Sequence, residues 1–176
     1  MNLREKKLTS QIAYKGRFLT IDHDTVLVPN GNVSDREVVR HPGAAAIIAF
    51  VDNKIVFERQ YRYAVDKTLL EIPAGKKDLG EDTIITAKRE LKEETGYIAG
   101  DMKYLGAIYT SVGFCDEKID IYLAKNLTKG DTSFDMDEII ELEYYTLDSV
   151  KAMIRDGIIT DAKTISAIML YITNEK

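Results

Sequence analysis

The sequence predicts an α+β chain or a mixed-sheet sandwich, because strands and helices are interspersed without regular βα alternation. Three observations predict it. A stretch rich in β-branched and aromatic residues opens the chain, a continuous apolar run follows at 44–51, and helical periodicity is confined to 83–95 and the region beyond 146.

Residues 6–41 read as strands, LTSQIAYKGRFLTIDHDTVLV and its continuation, with turns at Lys15-Gly16 and Pro29-Asn30-Gly31-Asn32. AAAIIAFV (44–51) reads as a buried strand, and the turn Asp52-Asn53-Lys54 leads into the strand IVFERQYRY. LLEI (69–72) is a short strand that ends at Pro73. TIITAKRELKEET (83–95) is the strongest helix. Asp82 is its expected cap, since a short carboxylate accepts from free backbone N–H groups, and Gly96 is its left-handed stop. MKYLGAIYTS, KIDIYLAKN and EIIELEYYT read as strands. Two helices close the chain, one from Thr146 to Gly157 and one starting at Asp161.

Composition narrows the function classes. Lys and Arg total 24 against 29 Asp and Glu, a net charge of -5. That argues against nucleic-acid binding and against a polybasic membrane anchor. An anionic substrate must then be met locally, by cations or a few arginines. One cysteine, Cys115, excludes an internal disulfide and suggests a reducing cytoplasm. The polar start lacks a signal-peptide core, and no apolar stretch approaches a membrane span.

Chemistry concentrates on the helix. At about 100° per residue with Ile84 at zero, Ala87, Leu91 and Thr95 fall within about 60° and form an inward stripe. Glu90, Glu93 and Glu94 fall at about 240°, 180° and 280°, crowding one flank. Like charges at this spacing repel, so the cluster is either fully solvated or built to hold hard cations. Arg89, four residues before Glu93, is placed to pin that carboxylate. E-x-x-E-E alone is common on surface helices. The longer pattern is not: Gly75, five residues, Glu81, seven residues, then Arg89-Glu90-Leu91-x-Glu93-Glu94-x-Gly96-Tyr97.

This pattern resembles the Nudix box, with all seven polar and glycine positions filled. HPGAAAIIAF, ERQYRYAVDKTLLEIPAGK and YTSVGFCDEKIDIYLA resemble the flanks of the family's ADP-ribose pyrophosphatase branch, so the likeness covers most of the chain. The resemblance implies an α/β/α sandwich with a mixed sheet (residues 41–176) plus an N-terminal antiparallel β-segment (residues 1–40). It implies Mg²⁺-dependent hydrolysis, with Mn²⁺ as the alternative cation. The substrate would be ADP-ribose, cut to AMP and ribose 5-phosphate, or a related nucleoside diphosphate sugar.

Roles follow by position. Glu90 and Glu94 are implied as metal ligands, with Glu93 either a ligand or the carboxylate oriented by Arg89, and with the carbonyl of Ala74 as a further ligand. Arg62 in RQYR is implied as a pyrophosphate contact, and Glu71 as facing the site. Glu138, from the acidic run with Asp135 and Asp137, is implied as the base or water-positioning group. Arg36 and Arg40 are candidates for substrate binding near a dimer partner, and the branch implies a homodimer that exchanges its N-terminal segment. Val112 stands where the branch usually carries proline, which leaves the backbone angle of that turn less restricted.

His23 and His41 are isolated from any Cys/His cluster and read as structural or surface residues. Cys115, with no neighbouring histidine, reads as a partly buried thiol rather than a nucleophile. A hydrolase for another nucleotide sugar is the alternative within enzymes. A silent ADP-ribose sensor is the alternative outside them; the intact box and the absence of a basic recognition helix disfavour it. A nucleic-acid decapping role is weaker still, because no basic stripe exists.

Overall fold

The computed structural model describes residues 2–131 and 139–174. These form two compact units. The first comprises 1–43 with 109–118, and the second comprises 44–108 with 119–176.

In the first unit, strands β1 (Lys6–Lys15), β2 (Thr20–Leu27) and β3 (Val33–Arg40) form an antiparallel sheet in that order. Both turns fall where the sequence places them. Gly16 N–H donates to the Leu19 carbonyl at 2.8 Å, and the Asn30 side chain accepts from Asn32 N–H at 3.0 Å, a local bond that favours turns. Register shifts interrupt β1 between Lys7 and Thr9 and between Ile12 and Tyr14. Every residue of β1 is exposed. The segment 109–118 joins this unit through β3: Val39 N–H donates to Phe114 O at 2.7 Å and Asp116 N–H to Val39 O at 3.1 Å. Within it, Ser111 O accepts from Phe114 and Cys115 N–H at 3.0 and 2.9 Å. The turn therefore closes with Val112, which is exposed, at its corner.

The second unit is built on β4 (Ala44–Val51), β5 (Lys54–Arg62), β6 (Lys67–Glu71), β7 (Ala74–Lys76), β8 (Tyr97–Tyr109), β9 (Lys118–Lys129) and β10 (Ile140–Tyr145). Its helices are α1 (Thr83–Thr95), α2 (Leu147–Arg155) and α3 (Ala162–Asn174). The sheet runs β10-β5-β4-β9-β8, with β6 beside β5 and β7 beside β4. It is mixed, as expected: β4 and β9 are parallel, whereas β5 pairs antiparallel with β4, β6 and β10. Asp52 and Asn53 both take positive φ, 48° and 62°, as a two-residue hairpin turn between β4 and β5 requires.

Strand alternation divides the core into two layers. Ala44, Ala46 and Ile48 of β4, with Phe57 and Ile121, pack against Val150 of α2 and Ala167 and Ile168 of α3. Ala45, Ile47 and Ala49, with Val56 and Tyr122, pack against Ala87 and Leu91 of α1. Helices thus cover both faces of the sheet, which is why β4 reads as an unbroken apolar run.

Two local expectations are corrected. Asp82 makes no side-chain cap bond. Glu81, one residue earlier, accepts from Asp78 N–H at 3.1 Å and from Thr86 Oγ1 at 2.8 Å, neither of them a backbone N–H of α1. Ile84 is exposed, and the buried face consists of Thr86, Ala87, Leu91, Glu94 and Thr95. The inward stripe is therefore rotated toward the glutamates, because α1 docks by its small residues on β4 and β7. The Gly96 stop is as expected, with φ 73° and its N–H bonded to Lys92 O. Thr146 caps α2 by accepting from Ser149 N–H at 3.2 Å, and Asp161 accepts from Thr164 N–H at 3.0 Å at the start of α3. Strand β7 was not expected from sequence; three residues between Pro73 and a polar loop carry no period.

Candidate active site

Helix α1 carries Arg89, Glu90, Glu93 and Glu94 along little more than one turn, so their side chains crowd one flank. Arg89 organises this flank. Its NH1 donates to Glu90 Oε1 at 2.7 Å and Glu93 Oε2 at 3.1 Å. Its NH2 donates to Glu81 Oε2 at 3.2 Å and to the Lys76 carbonyl at 3.0 Å. Burial alone would depress this guanidinium, but its bonds to Glu81, Glu90 and Glu93 more than offset that and raise it. In return the Arg89 hydrogen bond holds Glu81 down at about 2. Glu81 thus acts as a permanent anion that ties the loop before α1 to the helix.

Strand β7 lies against the same flank. The Glu90 carboxylate rests directly on Gly75: a Cβ there would sit 1.9 Å from Glu90 Cδ. No side chain can occupy that position without displacing Glu90, which explains the glycine at the head of the box. Glu94 is buried, and its Oε2 accepts from Ala74 N–H at 3.1 Å. The structure therefore brings Ala74, Glu90, Glu93, Glu94 and Arg89 together.

A second polar group surrounds Glu71, at the end of β6. Arg62 grips it in a bidentate pair, Nε to Oε1 and NH2 to Oε2, both at 2.8 Å. Lys163, from the first turn of α3, also donates to Glu71 and reaches Asp161 Oδ2 at 3.0 Å. Burial pushes the Glu71 carboxyl up, yet Arg62 and Lys163 outweigh burial and hold it below its usual range.

Glu58 and Lys163 escaped the sequence reading. Glu58 is only 3% exposed and faces Glu71 across the β5–β6 ladder. Its carboxyl is hydrogen-bonded to Glu94, and burial first of all pushes it up, to about 8. One signal was available: a glutamate that directly follows Ile55, Val56 and Phe57 in a strand covered on both faces is a buried charge. Lys163 carries no such signal, because it meets Glu71 only through the tertiary fold.

Arg36 and Arg40 belong to the first unit. Arg36 pairs with Glu5 through Nε at 3.1 Å and NH2 at 2.6 Å. Arg40 pairs with Asp22 at 2.8 Å, Asp116 at 3.2 Å and Asp24 at 3.5 Å. In the same unit His23 lies 3.3 Å from Gln11 Nε2, and His41 Nδ1 accepts from Gly43 N–H at 3.1 Å. Cys115 is a free, partly buried thiol. Glu138, with Asp135 and Asp137, lies outside the described residues.

Among the described residues, no three His, Cys, Asp or Glu side chains converge into a ready-made metal cage. The donors on α1 and β7 nonetheless suit Mg²⁺. They are all oxygens, and Mg²⁺ is usually held by one or two carboxylates, waters and substrate phosphates rather than by an all-protein cage. The cradle at Gly75 fixes one such carboxylate, and the Ala74 N–H fixes another. Among the described residues, no helix is long and apolar enough to cross a membrane.

The chain matches two family models, one described as the NUDIX domain over residues 39–167 and one as the nucleoside diphosphate sugar hydrolase N-terminal domain over residues 5–39. It is 45% identical over 167 residues to the methanol dehydrogenase activator of Bacillus methanolicus, spanning 93% of this chain and 90% of that protein. It is 39% identical over 170 residues to the ADP-ribose pyrophosphatase of Bacillus subtilis, spanning 95% of this chain and 92% of that protein. A solved ADP compounds hydrolase superposes with a TM-score of 0.87 at 23% identity, over 98% of this chain and 95% of that one, a likeness of fold. Box, cradle and family match agree: the chain belongs to the Nudix family.

Proposed function

We propose that this chain hydrolyses the pyrophosphate bond of ADP-ribose, releasing AMP and ribose 5-phosphate, or of a related nucleoside diphosphate sugar. The observation that carries the reading is the flank of α1, where Glu90, Glu93 and Glu94 are gathered by Arg89 and seated against Ala74 and Gly75. The 39% identical ADP-ribose pyrophosphatase supports the substrate class. Glu90, Glu94, the Ala74 carbonyl and, in one of its two roles, Glu93 are the groups that hold Mg²⁺, or Mn²⁺ in its place. When bound, the cation neutralises phosphate oxygens and makes water a better nucleophile. Arg62 is oriented by Glu71 through Nε and one terminal nitrogen, and it offers the other to a phosphate oxygen. Glu138 takes the proton of the attacking water or positions it. The single Cys115 suits a cytoplasmic enzyme. Purified protein with Mg²⁺ is expected to convert ADP-ribose to AMP and ribose 5-phosphate, read by chromatography beside nucleotide sugars, dinucleoside polyphosphates and NTPs. Cleavage of another member of that panel alone would move the substrate. Cleavage of none would sink the enzyme and leave a sensor.

The N-terminal segment 1–40 serves dimerisation and completion of the substrate site of the hydrolase domain 41–176, with Arg36 or Arg40 reaching the partner's substrate. Support comes from β1, whose Leu8, Ile12 and Tyr14 are 46%, 63% and 59% exposed in a three-stranded sheet too small to bury them. A two-fold contact between copies is the commonest remedy. Light scattering should report a mass near twice 19.9 kDa. Deleting residues 1–40 should leave a monomer, or an insoluble chain, with little activity. A fully active monomer in either form would overturn the dimer and the shared site together.

A second reading rests on the relative named methanol dehydrogenase activator, the more similar of the two by identity. On that reading hydrolysis by this chain serves a dehydrogenase. A rise in the rate of a methanol dehydrogenase on adding wild-type protein, absent with Glu94→Gln, would support it.

A further inference from the structure

We propose that Glu58 is an additional ligand of the cation held on α1, a carboxylate supplied by the central strand β5 from outside the box. The inference rests on the reading of α1 as a cation site.

Glu58 is placed for this role by strand alternation. Ile55 and Phe57 face the α2–α3 layer and Val56 faces the α1 layer, so Glu58 turns toward α1. Its cross-strand neighbours agree. Leu142 opposite it on β10 packs in the α1 layer, and Glu71 opposite it on β6 lies between Leu70 and Ile72, which face the other way. In that position the side chain meets Glu94, to which it is hydrogen-bonded.

A further observation points to a ligand. Glu58 is only 3% exposed, and its Oε1 has no hydrogen-bond partner among the described residues. A bare carboxylate oxygen in a buried position is costly, and native structures rarely leave one without a water or an ion. A divalent cation on Glu94 would occupy the orphaned oxygen, and an extra oxygen donor suits the six-coordinate shell of Mg²⁺.

The test is Mn²⁺ binding to the full-length protein without substrate, followed by electron paramagnetic resonance, with thermal stability measured in EDTA and in excess Mg²⁺. Glu58→Gln keeps the shape and the hydrogen bond to Glu94 but removes the ligand charge. We expect Mn²⁺ affinity to fall by about 10-fold or more, the scale of effects seen when groups around metal sites are removed. Stability in EDTA should be unchanged, because the amide still donates a hydrogen bond to Glu94, while the stabilisation by Mg²⁺ should shrink. Undiminished Mn²⁺ affinity in Glu58→Gln would overturn the proposal and make Glu58 a neutral hydrogen-bond donor to Glu94. If Glu58→Gln does not fold, Glu58→Asp, which keeps the charge on a shorter stem, decides: it should bind Mn²⁺ more weakly than wild type and still be stabilised by it. Unaltered binding in that variant would equally overturn the proposal. Glu94→Gln separates the two readings. If wild type binds Mn²⁺, Glu94→Gln does not and Glu58→Gln does, the box site stands and only the role of Glu58 fails. If wild type binds none, the cation reading itself fails.

Discussion

Glu94→Gln is expected to lower turnover by about 10³-fold or more, close to 4 kcal/mol of transition-state stabilisation, while the fold survives. Glu94 is buried, and its backbone-facing oxygen accepts from Ala74 N–H at 3.1 Å. A glutamine retains an oxygen for that bond and has nearly the same volume, so the seat of α1 on β7 persists. What it loses is the charge. A cation on this flank must first be attracted by the carboxylates, and an acidic site can accept a pyrophosphate only once that cation has inverted the local field. Circular dichroism and thermal melting should match wild type within a few degrees, and EDTA should silence both proteins. Retention of most wild-type activity in Glu94→Gln, or full wild-type activity in EDTA, would sink the assignment of the flank as the catalytic centre.

The second large effect is expected from Gly75→Ala, at about 10²-fold in turnover, close to 2.7 kcal/mol. The added methyl would lie 1.9 Å from Glu90 Cδ and 2.0 Å from Oε1. Backbone strain is not the cause; Gly75 is not among the residues with positive φ. The atoms in the way belong to the end of a flexible side chain, so the cheapest relief is for Glu90 to swing off β7. That movement breaks its 2.7 Å bond to Arg89 and removes it from the position where it would meet a cation. Stability should therefore change little, while the Mg²⁺ concentration for half-maximal activity rises. A variant with wild-type turnover and wild-type Mg²⁺ dependence would show that the Gly75 cradle does not position a ligand.

Much of the frame was legible in the residues. The period of Ala87, Leu91 and Thr95 and the stop at Gly96 located α1, and the unbroken run 44–51 announced a strand covered on both faces. These are local signals, written within one element by repeat distance and turn chemistry. The box was legible for the same reason: its glutamates share one helix, and Arg89 can reach Glu93 from four residues away without help from the rest of the chain. Other features depend on which elements meet. The rotation of α1 that exposes Ile84 and buries Glu94 follows from the small residues on which the helix docks. The tie between Glu81 and Arg89 across the start of α1 is likewise made by the fold.

By itself, then, the sequence determined the family, the order of the elements apart from β7, and the carboxylate flank of α1. Only the tertiary structure decided how that flank is completed. It set Gly75 beneath Glu90 from 15 residues earlier in the chain, turned Glu58 of β5 onto Glu94, and brought Lys163 from 92 residues away to share Glu71 with Arg62. Periodicity is a property of neighbours along the chain and can be read from them. A buried carboxylate's partner is whichever group chain closure brings within about 3 Å, and no spacing rule encodes that meeting.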